Sequence, residues 1–303
     1  MEISSRFAGM ESAELLVELS DRRAMNYAAG VDDANPRYFD DTAPAGIGVP
    51  PMLAAALTWP MSSRFQEFWP ARDFPLEVMA TQVHYSEHLA FSRPMRAGET
   101  LCIRGQAVSM QQHRAGTHLI MRYTATGRLG ETVFVEHIGG MLRGVTLRDG
   151  DRSLEDVAQV ATVPEGAPGW EAQVHIDALA AHRYDACADI HFPIHTSRSF
   201  ARAVGLPDTI YHGTATLARA VTHILNRLGG GDPSRIASIA CNFTGMVPLN
   251  SGIRIVVLKE TLDAGHTSVP FHVLNAAGGK AVRNGVIILN TDPDQDQKEP
   301  ILA

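Results

Sequence analysis

The chain has 303 residues, of which 45% are hydrophobic, so it can bury a sizeable core. Its length suggests about two domains. The formal net charge is −7 and the 26 lysines and arginines are scattered, so we expect no nucleic acid partner. The 3 cysteines lack Cys-x-x-Cys spacing, which disfavours a disulfide framework and a zinc site.

The N-terminal residues carry no recognisable targeting signal. The stretch "MEISSRFAGMESAELL" lacks the basic region and the continuous apolar region of a signal peptide. The chain also has no apolar run of about 18 residues, the length that a membrane-spanning helix requires. We therefore expect a cytoplasmic protein with no membrane partner.

The first half of the chain predicts one helix followed by strands. A loop rich in Asp, Asn and Pro, "DDANPRYFDD" (32 to 41), precedes the apolar segment "PPMLAAALTW" (50 to 59), where we expect the helix. Three later runs, "ETLCIRGQAVSM", "GTHLIMRYTATG" and "ETVFVEHIGGML", contain many β-branched and aromatic residues and predict strands. Core or lid packing is expected for the large aromatic residues Trp59, Phe68 and Trp69.

A linker is predicted in the middle of the chain. The segment "LRDGDRSLEDVAQVATVPEGAPGW" is rich in charge, Gly and Pro, which is typical of a segment laid over the surface. We expect an N-terminal repeat at residues 1–150, a linker at 151–170, a C-terminal repeat at 171–292 and a polar tail at 293–303.

The second half repeats the layout of the first. The segments "IHFPIHTSRSF" and "HGTATLARAV" correspond to the loop and the helix, and Pro193 follows Pro36 by 157 residues. The residues that predict the buried stripe of this helix are Leu217, Val221, Ile224, Leu225 and Leu228. Its opposite, solvated face is predicted to hold Arg219, His223 and Arg227, and the helix is expected to end at the glycines 229–231. With "GIRIVVLKE", "TSVPFHVLN" and "KAVRNGVIILN" as strands, each repeat is one long helix wrapped by an antiparallel sheet, an α+β fold.

Two motifs resemble those of the MaoC-like dehydratases, also called the hydratase 2 family. Members carry a loop of the form Asp-x-Asn-Pro-x-His, then a helix opened by a His-Gly pair. In the second repeat, Pro193 and His195 occupy the proline and histidine positions, and "YHG" supplies His212 and Gly213. The resemblance implies a double hot dog fold that covers most of the chain. It also implies a hydro-lyase that adds water to a 2-enoyl thioester of coenzyme A or of an acyl carrier protein, with no metal or redox cofactor.

The resemblance assigns roles that general acid–base chemistry explains. Hydration of an enoyl thioester needs a base, an acid and stabilisation of the enolate-like oxygen. A histidine can act as base at neutral pH, so His195 is the candidate. The main-chain N–H groups at the helix N-terminus, led by Gly213, are suited to receive the thioester oxygen.

Neither repeat contains a complete aspartate–histidine pair. Counting back from His195, the aspartate position is Ile190, and Asp189 lies one residue earlier. In the first repeat Asp33 is present, but Tyr38 replaces the histidine. Asp189 and Asp33 therefore compete for the carboxylate role. The residues expected to contact the substrate are Gly213, His212, Asn35, Tyr38 and His191.

Three interpretations follow from the incomplete pair. In the first, the C-terminal repeat is active through His195, aided by Asp189 or His191, and the other repeat shapes the acyl pocket. In the second, the chemistry has changed to an elimination or isomerisation that needs one base, or to thioester hydrolysis. In the third, the chain binds an acyl thioester or supports a catalytic partner without being an enzyme. Pairing into homodimers is also possible in each case.

Overall fold

The computed structural model describes residues 1–69, 72–157, 160–263 and 265–291, and its two halves share one order of elements. The N-terminal half contains β1 (Glu2–Ser4), β2 (Leu15–Leu19), α1 (Asp21–Gly30), α2 (Leu53–Ser63), α3 (Phe65–Phe68), β3 (Gln82–Phe91), β4 (Glu99–His113), β5 (Gly116–Thr126), β6 (Thr132–Arg143) and β7 (Thr146–Arg148). The remainder contains β8 (Arg152–Ser153), β9 (Trp170–Ile176), α4 (Ala180–Ala188), α5 (Arg198–Ala203), α6 (Gly213–Leu228), β10 (Ile236–Phe243), β11 (Ser251–Val257), β12 (Thr261–Asp263), β13 (His266–Asn275) and β14 (Lys280–Asn290). The corresponding loops form 3₁₀ turns at Pro36–Tyr38 and Pro193–His195.

One large sheet joins the two repeats. Ten of its 12 strands run in the order β2-β4-β5-β6-β3-β10-β14-β13-β11-β9, with β8 paired to β4 and β12 to β13. This order is symmetric about the antiparallel β3–β10 pair, in which Cys241 lies opposite Glu87. The sheet confirms the predicted α+β class and the predicted continuous antiparallel sheet formed by two copies of one unit.

The helix α6 follows the predicted boundaries. It ends at Leu228, where the N–H of Gly229 donates to the carbonyl of Leu225 at 2.8 Å. Four of the five residues of the predicted apolar stripe are buried, and Leu228 packs partly buried against the core. The periodicity of apolar residues was therefore a reliable signal for this helix.

The prediction of a solvated face on α6 is wrong for Arg219. Its side chain is only 6% exposed and forms an ion pair with Asp32, which follows α1 in the other repeat. Asp32 has a left-handed backbone (φ 48°), which lets the chain turn back towards α6 after the helix ends. The charge of Arg219 is thus neutralised by a partner far away in sequence, and Arg227, by contrast, is exposed as predicted.

The linker contacts both repeats. β8 pairs with β4, and Glu155 accepts hydrogen bonds from Arg122 and His137 of the N-terminal repeat. Further along, the N–H of Val163 donates to the side chain of Asn284 in the C-terminal repeat at 3.2 Å. The segment predicted as a linker therefore fastens to the sheet on both sides. The predicted tail at residues 293–303 lies outside the described residues.

Within the described ranges, no helix combines the length and the apolar character that crossing a membrane requires.

Candidate active site

His195 lies at the end of the 3₁₀ turn that Pro193 begins. Its Nδ1 is 2.9 Å from the carbonyl oxygen of Ile210. A carbonyl only accepts, so Nδ1 carries the proton and Nε2 keeps its lone pair in the neutral ring. Burial lowers the pKa of His195 to about 4, while the bond to Ile210 opposes the shift. The ring is therefore neutral at pH 7 and able to accept a proton at Nε2.

His212 lies directly against this base. The two ring centroids are 3.7 Å apart and the planes meet at 24°, a stacked arrangement. The side chain of His212 is 1% exposed, and neither ring nitrogen forms a hydrogen bond of normal geometry with a described residue. Burial, helped by His195, lowers the pKa of His212 to about 2. His212 is therefore a neutral ring at pH 7 that packs against His195.

The N-terminus of α6 begins immediately after His212. His212 has an extended backbone (φ −63°, ψ 139°), and its carbonyl accepts the N–H of Thr216 at 3.0 Å. The amides of residues 213–215 precede that bond, and they have no hydrogen-bond acceptor among the described residues. A Cβ on Gly213 would lie 3.2 Å from Cδ1 of Phe243, so glycine leaves room that a side chain would take. These amides are the candidate site for a developing negative charge, next to the candidate base His195.

Asp189 is largely exposed and bonds to His191. It ends α4 with a left-handed backbone (φ 58°), and its side chain is 68% exposed. Its Oδ1 accepts from Nε2 of His191 at 2.8 Å. The one-residue offset that sequence analysis left open places this carboxylate on His191, and no hydrogen bond among the described residues joins it to His195.

His191 is held between two carboxylates. Its Nδ1 lies 2.7 Å from Oδ1 of Asp185 and its Nε2 lies 2.8 Å from Asp189. The hydrogen bond to Asp185 is the largest cause of a raised pKa for His191, against a smaller opposing effect of burial. The ring itself is 64% exposed. It therefore reaches solvent while both of its nitrogens are occupied.

Sequence reasoning missed Asp185. The residue lies in α4, outside the loop motif, and its side chain is only 17% exposed. Besides binding His191, its negative charge acts on His195 and favours the protonated form of that ring. No local spacing pointed to Asp185, because the left-handed residue Asp189 ends α4 and turns His191 back towards it.

Asp33, the second candidate for the carboxylate role, bonds to the later turns of α6 and is not brought to His195. It is 4% exposed, and its carboxylate accepts from the Thr222 hydroxyl at 2.9 Å and the Asn226 amide at 3.3 Å. Thr222 is nine residues after Gly213, or about 13 Å along the axis at 1.5 Å per residue. Asp33 therefore fastens its loop to the later turns of α6 and is remote from His195.

Asn35 and Tyr38 share this structural environment and are likewise not brought to the site. The Asn35 amide donates to the carbonyl of Gly231 at 2.6 Å. Tyr38 is 1% exposed, and burial raises the pKa of its hydroxyl far above the ordinary value. Asn35 is thus fastened to the C-terminal end of α6, and no hydrogen bond among the described residues joins Asn35 or Tyr38 to His195.

An aromatic wall connects the N-terminal repeat to the base. The ring of Phe192 lies 6.2 Å from His195 and 6.0 Å from Phe200, both edge-on. Trp59 of α2 meets Phe192 at 6.4 Å, again edge-on. Trp59 thus lies at the site, whereas Trp69 is buried in the core and donates from Nε1 to the carbonyl of Met61 at 2.9 Å.

A separate cavity of about 230 Å³ lies away from this site. Its lining includes His88, His118 and His137 on β3, β5 and β6, together with residues of the linker, and His195 is not part of it. Alternation along β3 places His88 on the face opposite the buried Leu89. The cavity therefore belongs to the outer face of the sheet.

Comparison with known protein families matches both halves of the chain. The family model described as "MaoC like domain" matches residues 159–277. The model described as "FAS1-like, dehydratase domain region" matches residues 6–135. The gap between the two matches, residues 136–158, overlaps the start of the predicted linker at residues 151–170.

Individual relatives agree with these matches. The 3-hydroxyacyl-thioester dehydratase X of Mycobacterium tuberculosis (strain ATCC 25618 / H37Rv) is 26% identical over 180 residues, which are 59% of this chain and 60% of that protein. The chain spans 7% or less of the other curated relatives it matches. A MaoC-like dehydratase from Phytophthora capsici has a similar structure, with a TM-score of 0.81, 18% identity and coverage of 94% of this chain and 98% of that one. A Mycobacterium tuberculosis protein described as a double hot dog fold aligns with a TM-score of 0.58, 14% identity and coverage of 93% and 96%.

Proposed function

We propose that this chain, which belongs to the MaoC-like dehydratases of the double hot dog fold, reversibly dehydrates a 3-hydroxyacyl thioester to the 2-enoyl thioester. The observation that carries the proposal is the position of His195. Its Nε2 is free to accept a proton, and the ring stacks on the residue that precedes the N-terminus of α6. A base and an oxyanion site therefore lie side by side, which is what abstraction of a proton next to a thioester carbonyl requires.

In the dehydration direction, the thioester oxygen binds the amides at the start of α6. Those donors stabilise the enolate-like charge, and one such donor is worth about 10²- to 10³-fold in rate. His195 then removes the Cα proton through Nε2, a role worth about 10²- to 10⁴-fold. Burial keeps His195 unprotonated at neutral pH, although it also makes the ring a weaker base. Trp59 meets Phe192, which lies edge-on to His195, so apolar rings lie beside the proposed base.

A non-catalytic acyl-binding role is the second candidate. The observation that favours it is the loss of the family's polar pair, since Ile190 and Phe192 occupy the aspartate and asparagine positions. A chain of this kind would bind an acyl thioester at α6 without turning it over. A thioesterase, the third reading, would direct water to the carbonyl carbon and release a free thiol.

The carrier and the setting of the reaction are part of the proposal. The matched relatives are named as an acyl-thioester dehydratase and as fatty acid synthase β subunits. These names do not distinguish coenzyme A from an acyl carrier protein, so the proposal includes both carriers. A cytoplasmic location and pairing into homodimers stay predictions from the sequence.

The experiment that tests the function is an assay with crotonyl-CoA and a longer 2-enoyl-CoA. We expect the wild-type protein to hydrate the enoyl thioester, seen as a fall in its absorbance. The kcat/KM of His195→Ala should be lower by about 10²-fold or more. His266→Ala, at an exposed histidine of β13, is the matched control and should keep the wild-type rate. Binding without turnover would support the second candidate, and thiol release would support a thioesterase.

A further inference from the structure

The proposed reaction needs a proton donor that the family motif no longer supplies. Loss of the 3-hydroxyl as water requires an acid that is protonated at neutral pH. An ordinary aspartic acid, with a pKa near 3.9, is protonated in only about one molecule in 10³ at pH 7. A group with a higher pKa is therefore the better donor. The inference below rests on the proposed function and concerns this missing acid.

The contacts of His191 fix its protonation state by geometry. Each ring nitrogen lies within 2.8 Å of a carboxylate oxygen, Nδ1 on Asp185 and Nε2 on Asp189. Ionised carboxylates only accept hydrogen bonds, so both ring nitrogens must donate and the ring is an imidazolium. The positive charge of Arg23 in α1 also interacts with the carboxylate of Asp189. His191 therefore carries a proton one residue before Phe192, whose ring meets His195 edge-on.

His191 is also electrostatically connected to the reacting groups. Its charge acts on His212, and the charge of Asp185 acts on His195. Those two rings are in turn stacked on one another. The helix α4, which carries Asp185, packs against the 3₁₀ turn that carries His195. Asp185, Asp189 and His191 therefore form one electrostatically coupled cluster with the proposed base His195.

We propose that His191 is the general acid of the reaction and that Asp185 is its positioning residue. His195 takes the Cα proton at Nε2, the Cα–Cβ double bond forms and the Cβ–oxygen bond breaks. His191 gives the proton at Nε2 to the departing hydroxyl, which leaves as water. His195 then loses its proton to solvent and His191 regains one, so the cycle is balanced. Hydration follows the same path in reverse.

The two carboxylates have different tasks in this scheme. Asp189 is 68% exposed, so it can move aside while Nε2 of His191 faces the substrate. Asp185 is 17% exposed and remains on Nδ1, where it fixes the direction of the ring. The solvent exposure of His191, 64%, provides the route by which the proton is replaced.

The test is the pH dependence of kcat/KM for 3-hydroxybutyryl-CoA dehydration. The wild-type profile should fall on the alkaline side with a midpoint above 6.5, as His191 loses its proton. Asp185→Asn should move that midpoint down by roughly half a pH unit or more, because the largest stabilisation of the imidazolium is removed. Asp263→Asn, at an exposed carboxylate of β12, is the control and should leave the midpoint in place.

Substitution of the acid itself gives the second measurement. His191→Asn should reduce kcat/KM by about 10²-fold and remove the alkaline fall. Because His191 is largely exposed, this variant is expected to fold, and its thermal melting checks that. NMR titration of His191 in wild type and Asp185→Asn reports the same shift without turnover.

The outcomes separate this inference from the proposed function. An active wild type with an unchanged alkaline midpoint in Asp185→Asn, or with full rate in His191→Asn, overturns the acid role alone. If Asp189→Asn loses the rate while His191→Asn keeps it, Asp189 is the acid instead. A wild type inactive on every enoyl and 3-hydroxyacyl thioester overturns the function and the acid role together.

Discussion

The imidazole rings of His195 and His212 stack at 3.7 Å, so that a fully buried neutral ring covers one face of the base. This contact contributes to the burial that lowers the pKa of His195 to about 4. His212 thus lowers the pKa of the proposed base, and it also precedes the proposed oxyanion site at the start of α6.

Removal of that ring should change the acid side of the pH–rate profile. In His212→Ala, His195 gains solvent, its pKa rises towards 6.5, and the acid limb of kcat/KM moves up by about one pH unit. His212→Phe keeps an aromatic ring and should leave the limb within a few tenths of a unit. The pH dependence of 3-hydroxybutyryl-CoA dehydration measures both variants, and equal limbs in wild type and His212→Ala would contradict the stacking role.

Crowding of the α6 N-terminus should slow the reaction. A Cβ at position 213 would lie 3.2 Å from Phe243, so Gly213→Ala displaces either that ring or the amides beside it. A displaced oxyanion site costs about 10²-fold in kcat. Adding Phe243→Leu relieves the contact and should restore much of the rate. Steady-state kinetics of the single and double variants decide this, and a double variant as slow as the single one would argue against crowding.

Asp33 should matter for stability and not for catalysis. Asp33→Ala leaves Thr222 and Asn226 without their carboxylate partner and should lower the free energy of unfolding by about 1–3 kcal/mol. The kcat of the folded variant should stay within about twofold of wild type, since the residue is remote from His195. Chemical denaturation together with an activity assay tests this, and a stable but inactive variant would return Asp33 to the catalytic residues.

A buried carboxyl pair should make the fold sensitive to alkaline pH. Glu87 and Glu136 are 0% exposed on neighbouring strands, and burial raises the pKa of Glu87 to about 8 and that of Glu136 well above its ordinary value. Nε2 of His84 lies 3.2 Å from Glu87, but burial also lowers the pKa of His84 to about 4, so we take both groups as neutral at pH 7.

The sign of the effect follows from linkage. A folded pKa raised above the unfolded value of 4.5 gives stability that is complete below pH 4.5 and is lost as pH rises through about 8. The Tm should therefore fall between pH 5 and pH 9, and Glu87→Gln should flatten this slope. Thermal melting across that range is the measurement, and equal slopes in wild type and variant would show that the pair is not the cause.

Sequence alone predicted the parts of the fold that depend on local pattern. The spacing of apolar residues predicted the helix α6, and the repeated order of loop and helix predicted two copies of one unit. The contacts that decide the site depend on chain turns that no periodicity reveals. Arg219 is buried because Asp32 from the other repeat reaches it, and Asp185 enters the site because the left-handed turn at Asp189 brings His191 back to α4.

The central claim is that His195 removes a proton from the carbon next to a thioester bound at the start of α6. Exchange of the Cα protons of butyryl-CoA in D₂O tests it most directly, because this saturated thioester cannot eliminate water and reports the base alone. The account predicts deuterium incorporation catalysed by the wild-type protein and lost in His195→Ala. Exchange that continues at the wild-type rate in His195→Ala would contradict it.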